Sequence, residues 1–459
     1  MFPAQTYTRR RERLQAAFRD GLLLFLGNEE SPMNYADNTF HFRQDSTFLY
    51  LMGVDQPGWA AVIDVDAGTT TAFANDLDLD AIVWTGVLPT VAELARGGGI
   101  TRTAPAAALG DVVTNAKAQG RTIRFLPPYR PESALKLFRM LGVHPDEAKS
   151  QANVELVRAV VEMRAHKDAE EIAEIETAVD TTVDMHLAAM AMAKPGLLEA
   201  DIAARVTEIA LAAGGNLSFP VIATIHGETL HNHSHTHRLE PGRLFLLDAG
   251  AETALHYAGD LTSTFPVDRS FTPRQKEIYD VVLAAHVAAV KALTPGVPFR
   301  DVHLLGCRTL SEGLKGLGLM KGDINAAVEQ GAHAMFFQCG LGHMMGLDVH
   351  DMEDLGEQWV GYEGQPHSTQ FGLKSLRLAR PIEPGFVFTV EPGVYIIPEL
   401  IDRWKAEGKF REFLNYDTIE RYRDFGGIRI EENFVVRERD CRRLGKDRPR
   451  TTSEVEALR

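Results

Sequence analysis

Cysteine is scarce in this 459-residue chain: Cys307, Cys339 and Cys441 are the only three, widely spaced and odd in number. That pattern excludes a disulfide framework, argues against a cysteine-based zinc site and suits a reducing compartment. Positive charge is also in deficit, with Lys+Arg 48 against Asp+Glu 63 and a formal net charge of -15, which disfavours nucleic acid and anionic membranes as partners. Long apolar runs are missing, and the one at 22–26 is far too short to span a bilayer. The opening MFPAQTYTRRRERL has no apolar stretch followed by a small-residue cleavage site, so no secretory leader is expected. Arg9, Arg10, Arg11 and Arg13 read as the solvated face of a helix. Short-period repeats and low-complexity tracts are absent as well. A cytoplasmic protein without a membrane anchor is expected.

What is present is ample core material, 45% hydrophobic residues, in a chain long enough for two domains. The first part alternates a charged helix with short strands at 21–26, 47–52 and 59–65, the pattern of an α/β domain. Residues 153–180 have apolar positions at helical spacing with dense charge on the other face, and 179–192 continues in the same manner. The domain boundary is placed along this stretch, near Ala165, giving domains 1–165 and 166–459. In the second, helices at 198–213, 273–293 and 299–317 accompany strands at 219–225, 243–247, 262–267, 385–390 and 427–436. That mixture predicts helices packed on a largely antiparallel sheet.

The segment RLFLLDAGAETALHYAGDLTSTFPV reads as an antiparallel hairpin whose two small-residue turns each carry an aspartate, Asp248 and Asp260. Acids facing each other across a strand pair stand roughly 5 Å apart, and in apolar surroundings both ionise only with a cation between them. As isolated residues they could equally be turn formers. Further on, QCGLGHMMGLDVHDME holds His343 and His350 among glycines that permit close backbone approach to a ligand. Glu391 ends the apolar strand GFVFTV just before Pro-Gly, and GGIRIEENFVV places Arg429 and Glu431 on one strand face. Collected, Asp248, Asp260, His343, Glu391 and Glu431 are one imidazole and four carboxylates, a set that suits hard or borderline divalent ions, Mn²⁺ foremost. Two ions would balance four negative charges, and paired ions activate water for amide hydrolysis.

The ordered set LLDAG, AGD, GLGH, TVEPG and IRIEE resembles the pita-bread metallopeptidases, in the proline-specific branch that contains prolidase and aminopeptidase P. FHFRQDSTFLYLMGVDQPGWAAVID is similar to the amino-terminal domain of that branch. The resemblance implies an α/β amino-terminal domain followed by an α+β catalytic domain with helices on a curved, mainly antiparallel sheet. It implies two divalent ions, with Zn²⁺ or Co²⁺ as alternatives to Mn²⁺, bound by Asp248, Asp260, His343, Glu391 and Glu431. Asp260 and Glu431 would be shared by both ions, and Glu391 would also accept a proton from water. His231 and His350 would bind substrate or stabilise the tetrahedral intermediate. Arg377 is similar in position to an arginine that holds the substrate's terminal carboxylate, Trp84 and Phe219 match aromatic positions near the proline pocket, and Arg429 would orient the ligating carboxylates. The substrate would be a small peptide with proline in second position, and the protein a homodimer.

The chain departs from the family at Cys339, where the pattern HGLGH becomes CGLGH. The thiol is a smaller, weaker donor than imidazole, or else an added soft ligand. Three readings therefore stand beside Xaa-Pro dipeptidase: an Xaa-Pro aminopeptidase acting on longer peptides, a weakly active or inactive member used as a binding module, and a metal-free hydrolase of the creatinase kind. The full acid set counts against the last two. The segment between Glu391 and Glu431 reads as a wall that limits substrate length.

Overall fold

A computed structural model describes residues 1–459 as two compact units, Met1–Arg164 with Glu353–Trp359, and Ala165–Met352 with Val360–Arg459.

The first unit is built on a five-stranded mixed sheet. Leu22–Leu26 lies antiparallel to Ala60–Asp64 and parallel to Ile123–Phe125, while Thr69–Phe73 and Arg102–Ala104 extend the other edge. Strand alternation sends Leu22, Leu24, Val62 and Phe73 to one face, where they pack with Val113 and Leu137 of the helices Ala108–Ala118 and Pro131–Leu141. Each such buried side chain contributes roughly 1.5–3 kcal/mol.

Two expectations fail in this unit. Residues 46–52 form a helix, Ser46–Met52, despite strand-like composition. Asp45 accepts the Phe48 N–H at 2.7 Å, and Gly53 closes the other end in the left-handed region at φ 65°. The opening basic cluster does lie on a helix, Ala4–Ala16, but Arg10 and Arg11 are buried. Arg11 donates to the carbonyls of Leu51 and Gly98, both at 2.8 Å, and the Arg10 guanidinium stacks 4.0 Å over the Tyr50 ring.

In the second unit every strand pair is antiparallel. Ile222–Thr224, Leu244–Ala249 and Leu261–Pro266 make one sheet; Val387–Val390, Glu432–Val436 and Cys441–Arg443 make another. The helix Ala169–Met192 packs on the first of these, and Glu199–Ala212, Pro273–Ala292 and Phe299–Gly316 complete the helical cover. The stretch read as helical across 153–180 is broken: Val154–Ala165 stops, and Asp168 starts the next helix with a reciprocal capping box to Glu171. No helix is long and apolar enough to cross a membrane.

Candidate metal centre

In the aspartate hairpin, Asp248 pairs with Thr262 and Ala249 with Leu261. Asp260 falls two positions before Thr262, so the acids are diagonal neighbours on one face and not directly opposed. The connecting loop turns through His256 at φ 66°. Glu391 and Glu431 arise from a break that alternation alone does not reveal. Val387–Val390 pairs with Glu432–Val436, and Gly393–Tyr395 with Gly427–Arg429, so the run read as one strand at 427–436 is split between two sheets. The glutamates occupy the interruption. Freed from the ladder, Glu391 N–H donates to the Leu341 carbonyl at 2.7 Å and Glu431 N–H to the Thr262 carbonyl at 3.2 Å. Those bonds tie one glutamate to the glycine loop and the other to the aspartate hairpin.

The glycine loop packs tightly on the same sheet. A Cβ on Gly342 would stand 2.0 Å from the Thr389 carbonyl oxygen, so glycine here serves approach to the strand, where a ligand had been expected. His343 N–H donates to Thr389 Oγ1 at 3.2 Å, and its carbonyl accepts from Thr389 N–H at 3.0 Å. Its ring Nδ1 lies 3.0 Å from the Met344 carbonyl, which only an N–H can satisfy. Nε2 is thereby left as a lone pair, 3.4 Å from Asp260 Oδ2 and 3.5 Å from Glu391 Oε1.

With the carboxylates ionised, these three acceptors converge in an arrangement that repels itself. Asp248 Oδ1, Asp260 Oδ1 and Glu431 Oε1 are buried and accept no hydrogen bond. Burial, then the charges of Asp248 and Glu391, push the Asp260 carboxyl well above its ordinary range; burial, then Asp260, does the same to Glu431, and burial raises Glu391. Desolvating each carboxylate costs several kcal/mol, far more than one buried arginine offsets for the whole set. The donor set of Asp260, His343 and Glu431, mutually within 4.8 Å, with Asp248 and Glu391 beside it, therefore fits divalent cations.

Arg429 is that arginine. It donates to Asp248 Oδ2, to Thr262 Oγ1 at 2.9 Å and to Tyr395 Oη at 2.8 Å. Burial alone would lower its pKa, but Tyr395, Asp248 and Glu391 hold it well above the ordinary value. Thr262 in turn donates to Glu431 Oε2 at 2.6 Å. Tyr395 and Thr262 were not singled out from sequence. For Thr262 a signal existed: it lies two residues beyond Asp260 on the same strand face.

The acids open into a cavity of about 300 Å³. Its wall also carries His231, His350, Arg377, Phe219 and Cys339. His350 stacks edge-on against His343 with ring centroids 4.2 Å apart. Burial, then Arg429, lowers the pKa of His231, keeping it neutral. Burial and Glu391 push the Cys339 thiol up to about 12, and its sulfur lies 4.0 Å from Tyr395 Oη. His233 lines the cavity too, whereas no residue of 392–428 does so; the expected wall from that segment is not formed there. Trp84 belongs to the other unit, on Leu79–Thr85, with 87% of its surface exposed.

Residues 173–438 match the model for metallopeptidase family M24, and residues 7–124 that of the aminopeptidase P N-terminal domain. The chain belongs to metallopeptidase family M24. Among curated M24 relatives, the Xaa-Pro dipeptidase of Homo sapiens is 30% identical over 97% of this chain and 90% of its own length. The Xaa-Pro aminopeptidase of Escherichia coli is also 30% identical, over 99% and 97%. A solved structure of zinc-substituted E. coli aminopeptidase P in complex with product superposes with TM-score 0.81 at 28% identity, covering 100% of this chain and 98% of that one. The M24 chain is accordingly a metallopeptidase with the two-domain, helix-on-antiparallel-sheet architecture of the pita-bread fold.

Proposed function

We propose that this protein hydrolyses the bond between a first residue and a second-position proline, and that it prefers the Xaa-Pro dipeptide. Asp248, Asp260, His343, Glu391 and Glu431 would hold two divalent ions, Mn²⁺ foremost and Zn²⁺ or Co²⁺ as alternatives. When bound, such ions polarise the substrate carbonyl and lower the pKa of water.

The dipeptide reading is carried by the position of Arg377 in the same cavity as the acids. A guanidinium binds a terminal carboxylate through two parallel hydrogen bonds, and a cavity of about 300 Å³ is at the small end of ligand sites. Phe219, Leu230 and Val349 give that cavity apolar wall against which a pyrrolidine ring can pack. Glu391, held at Oε1 by Thr389 Oγ1 at 3.2 Å, would take up and return the proton of the attacking water. His231, as a neutral imidazole, and His350 would donate hydrogen bonds to the carbonyl oxygen as negative charge develops on it. Arg429 would orient Asp248. In the homodimer expected from the family, the exposed Trp84 would be available to a second copy of the chain.

The equal identity to an aminopeptidase supports a second reading, cleavage of longer peptides before proline. Comparing Ala-Pro, Ala-Pro-Ala and Ala-Ala as substrates of Mn²⁺-reloaded protein tests both readings. Ala-Pro turnover exceeding that of Ala-Pro-Ala supports the dipeptidase. The reverse order overturns the preference, and cleavage of Ala-Ala alone overturns proline specificity.

A further inference from the structure

A second group of metal-ligating side chains lies away from the acid cavity, against the helix Phe299–Gly316. His303 and Cys307 are four residues apart and so share one helical face. The single turn Ala332–Met335 brings His333 to them. All three residues are buried, and their ligand atoms lie within 4.8 Å of one another. Cys307 Sγ is 3.4 Å from His303 Nε2. Tetrahedral ligation, with bonds of ~2.3 Å to sulfur and ~2.1 Å to nitrogen, sets two such ligands about 3.6 Å apart. The pair therefore already has the spacing of a shared ion.

Hydrogen bonding does not explain the cluster. His303 Nδ1 is buried and makes no hydrogen bond, in a setting where buried polar atoms are nearly always partnered, and the buried His333 ring meets no side-chain partner and only the Val328 backbone. Burial, with His333 and Arg300 adding to it, takes His303 down to about 3; burial takes His333 to about 4 against an opposing pull from the Val328 carbonyl. Both rings are thus neutral lone-pair donors at physiological pH. A mixed thiol and imidazole set selects soft or borderline ions over Mg²⁺, Ca²⁺ or Mn²⁺.

We propose that His303, Cys307 and His333 form a separate metal site for one thiophilic d¹⁰ cation, Zn²⁺ or Cu⁺. On binding, the Cys307 S–H bond breaks, a sulfur–metal bond forms, the proton leaves to solvent, and no electron is transferred. His333 borders a cavity of about 320 Å³ that gives an entry path, lined by Arg300, Arg308 and Glu329. With one thiolate, Cu⁺ leaves the site neutral, whereas Zn²⁺ leaves a positive charge that the two arginines oppose and Glu329 offsets. Such an ion would pin the segment behind the acid cavity, because the Phe336 carbonyl accepts from Tyr395 N–H at 2.8 Å and Cys339 follows three residues later. The wide cysteine spacing argued against a cysteine-based zinc site; a single thiol with two imidazoles departs from that reading.

Chelator-stripped protein titrated with Co²⁺ as the zinc probe should develop a sulfur-to-cobalt charge-transfer band, which carboxylate and imidazole ligands cannot produce. The band should persist in Cys339→Ala and vanish in Cys307→Ala. In His333→Gln the Co²⁺ affinity should fall at least roughly tenfold, since even a supporting partner of a ligand is worth that much. A parallel titration with Cu⁺ against a chromogenic copper(I) chelator identifies which ion is held more tightly. A band lost in Cys339→Ala, a band indifferent to His333→Gln, or wild-type protein that retains neither probe would each overturn the site. Should Cys307→Ala fail to fold, His333→Gln, at the cavity rim, provides the deciding comparison.

Discussion

His343 Nε2 faces Asp260 Oδ2 across 3.4 Å, while the ring's N–H is committed to the Met344 carbonyl. Held that close in a buried setting, the imidazole and the ionised carboxylate fit a cation between them; without one, burial and the neighbouring acids favour a proton on Asp260. Asp260→Asn keeps the size of the side chain and removes the charge. It should lose bound metal and turnover together, with activity reduced at least about a hundredfold, as read by metal analysis and peptide hydrolysis on one sample. Full activity with native metal content would remove Asp260 from the centre.

Arg377 and the acids share one cavity, which makes the arginine's contribution depend on where the substrate ends. A charge-assisted hydrogen bond is worth about 2 kcal/mol, some thirtyfold in kcat/KM. Arg377→Ala should therefore penalise Ala-Pro by that factor and Ala-Pro-Ala much less, since the longer peptide carries its carboxylate elsewhere. Equal losses on the two substrates would leave the dipeptide preference without support.

Much of this arrangement is legible in the sequence, for local reasons. Asp248, Asp260 and Glu391 each end or interrupt an apolar run beside small residues, Glu431 interrupts one between Ile430 and Phe434, and that contrast is visible without coordinates. What escaped was set by end caps that overrode composition and by longer-range contacts. Residues 46–52 have strand composition, yet Asp45 and Gly53 cap them as a helix. Arg10 and Arg11 look solvated until the carbonyls of Tyr50, Leu51 and Gly98 fold over them. The change of sheet at Glu431 depends on which strand each half meets, and the period-2 pattern runs on either side of it with only Glu432 interrupting the apolar face. Tyr395 has no local mark at all; only the fold brings its hydroxyl to Arg429.

Cys339 stands where the family pattern has histidine, beside Tyr395 Oη and Glu391. Its thiol, pushed up to about 12 by burial and by Glu391, is protonated at neutral pH and is a poor hydrogen-bond donor. Cys339→His should restore a stronger donor to the cavity wall and raise kcat/KM, by about tenfold or more if the imidazole reaches the developing negative charge. Steady-state kinetics on Ala-Pro decide the matter. An unchanged or lower rate would mean that the pocket has been rebuilt around the thiol.

His186, in the middle of the Ala169–Met192 helix, sets an acid limit on stability. Its Nε2 lies 3.0 Å from the Ala249 carbonyl and so carries the proton, while Nδ1 accepts from Ser263 Oγ at 2.8 Å. Burial first, and then Arg448, hold this ring down to about 3. An unfolded chain protonates the same histidine near pH ~6.5. Between those values the unfolded state binds a proton that the folded state refuses, so stability is full above about pH 6.5 and falls as the pH drops, by about 1.4 kcal/mol per pH unit. His286, lowered to about 4 by burial, acts in the same direction. Replacing the ring by a neutral amide, His186→Gln, should reduce proton uptake on unfolding near pH ~5 by about one, measured calorimetrically in buffers of different ionisation enthalpy. The same uptake in the variant and the wild type would show that His186 titrates normally in the folded protein.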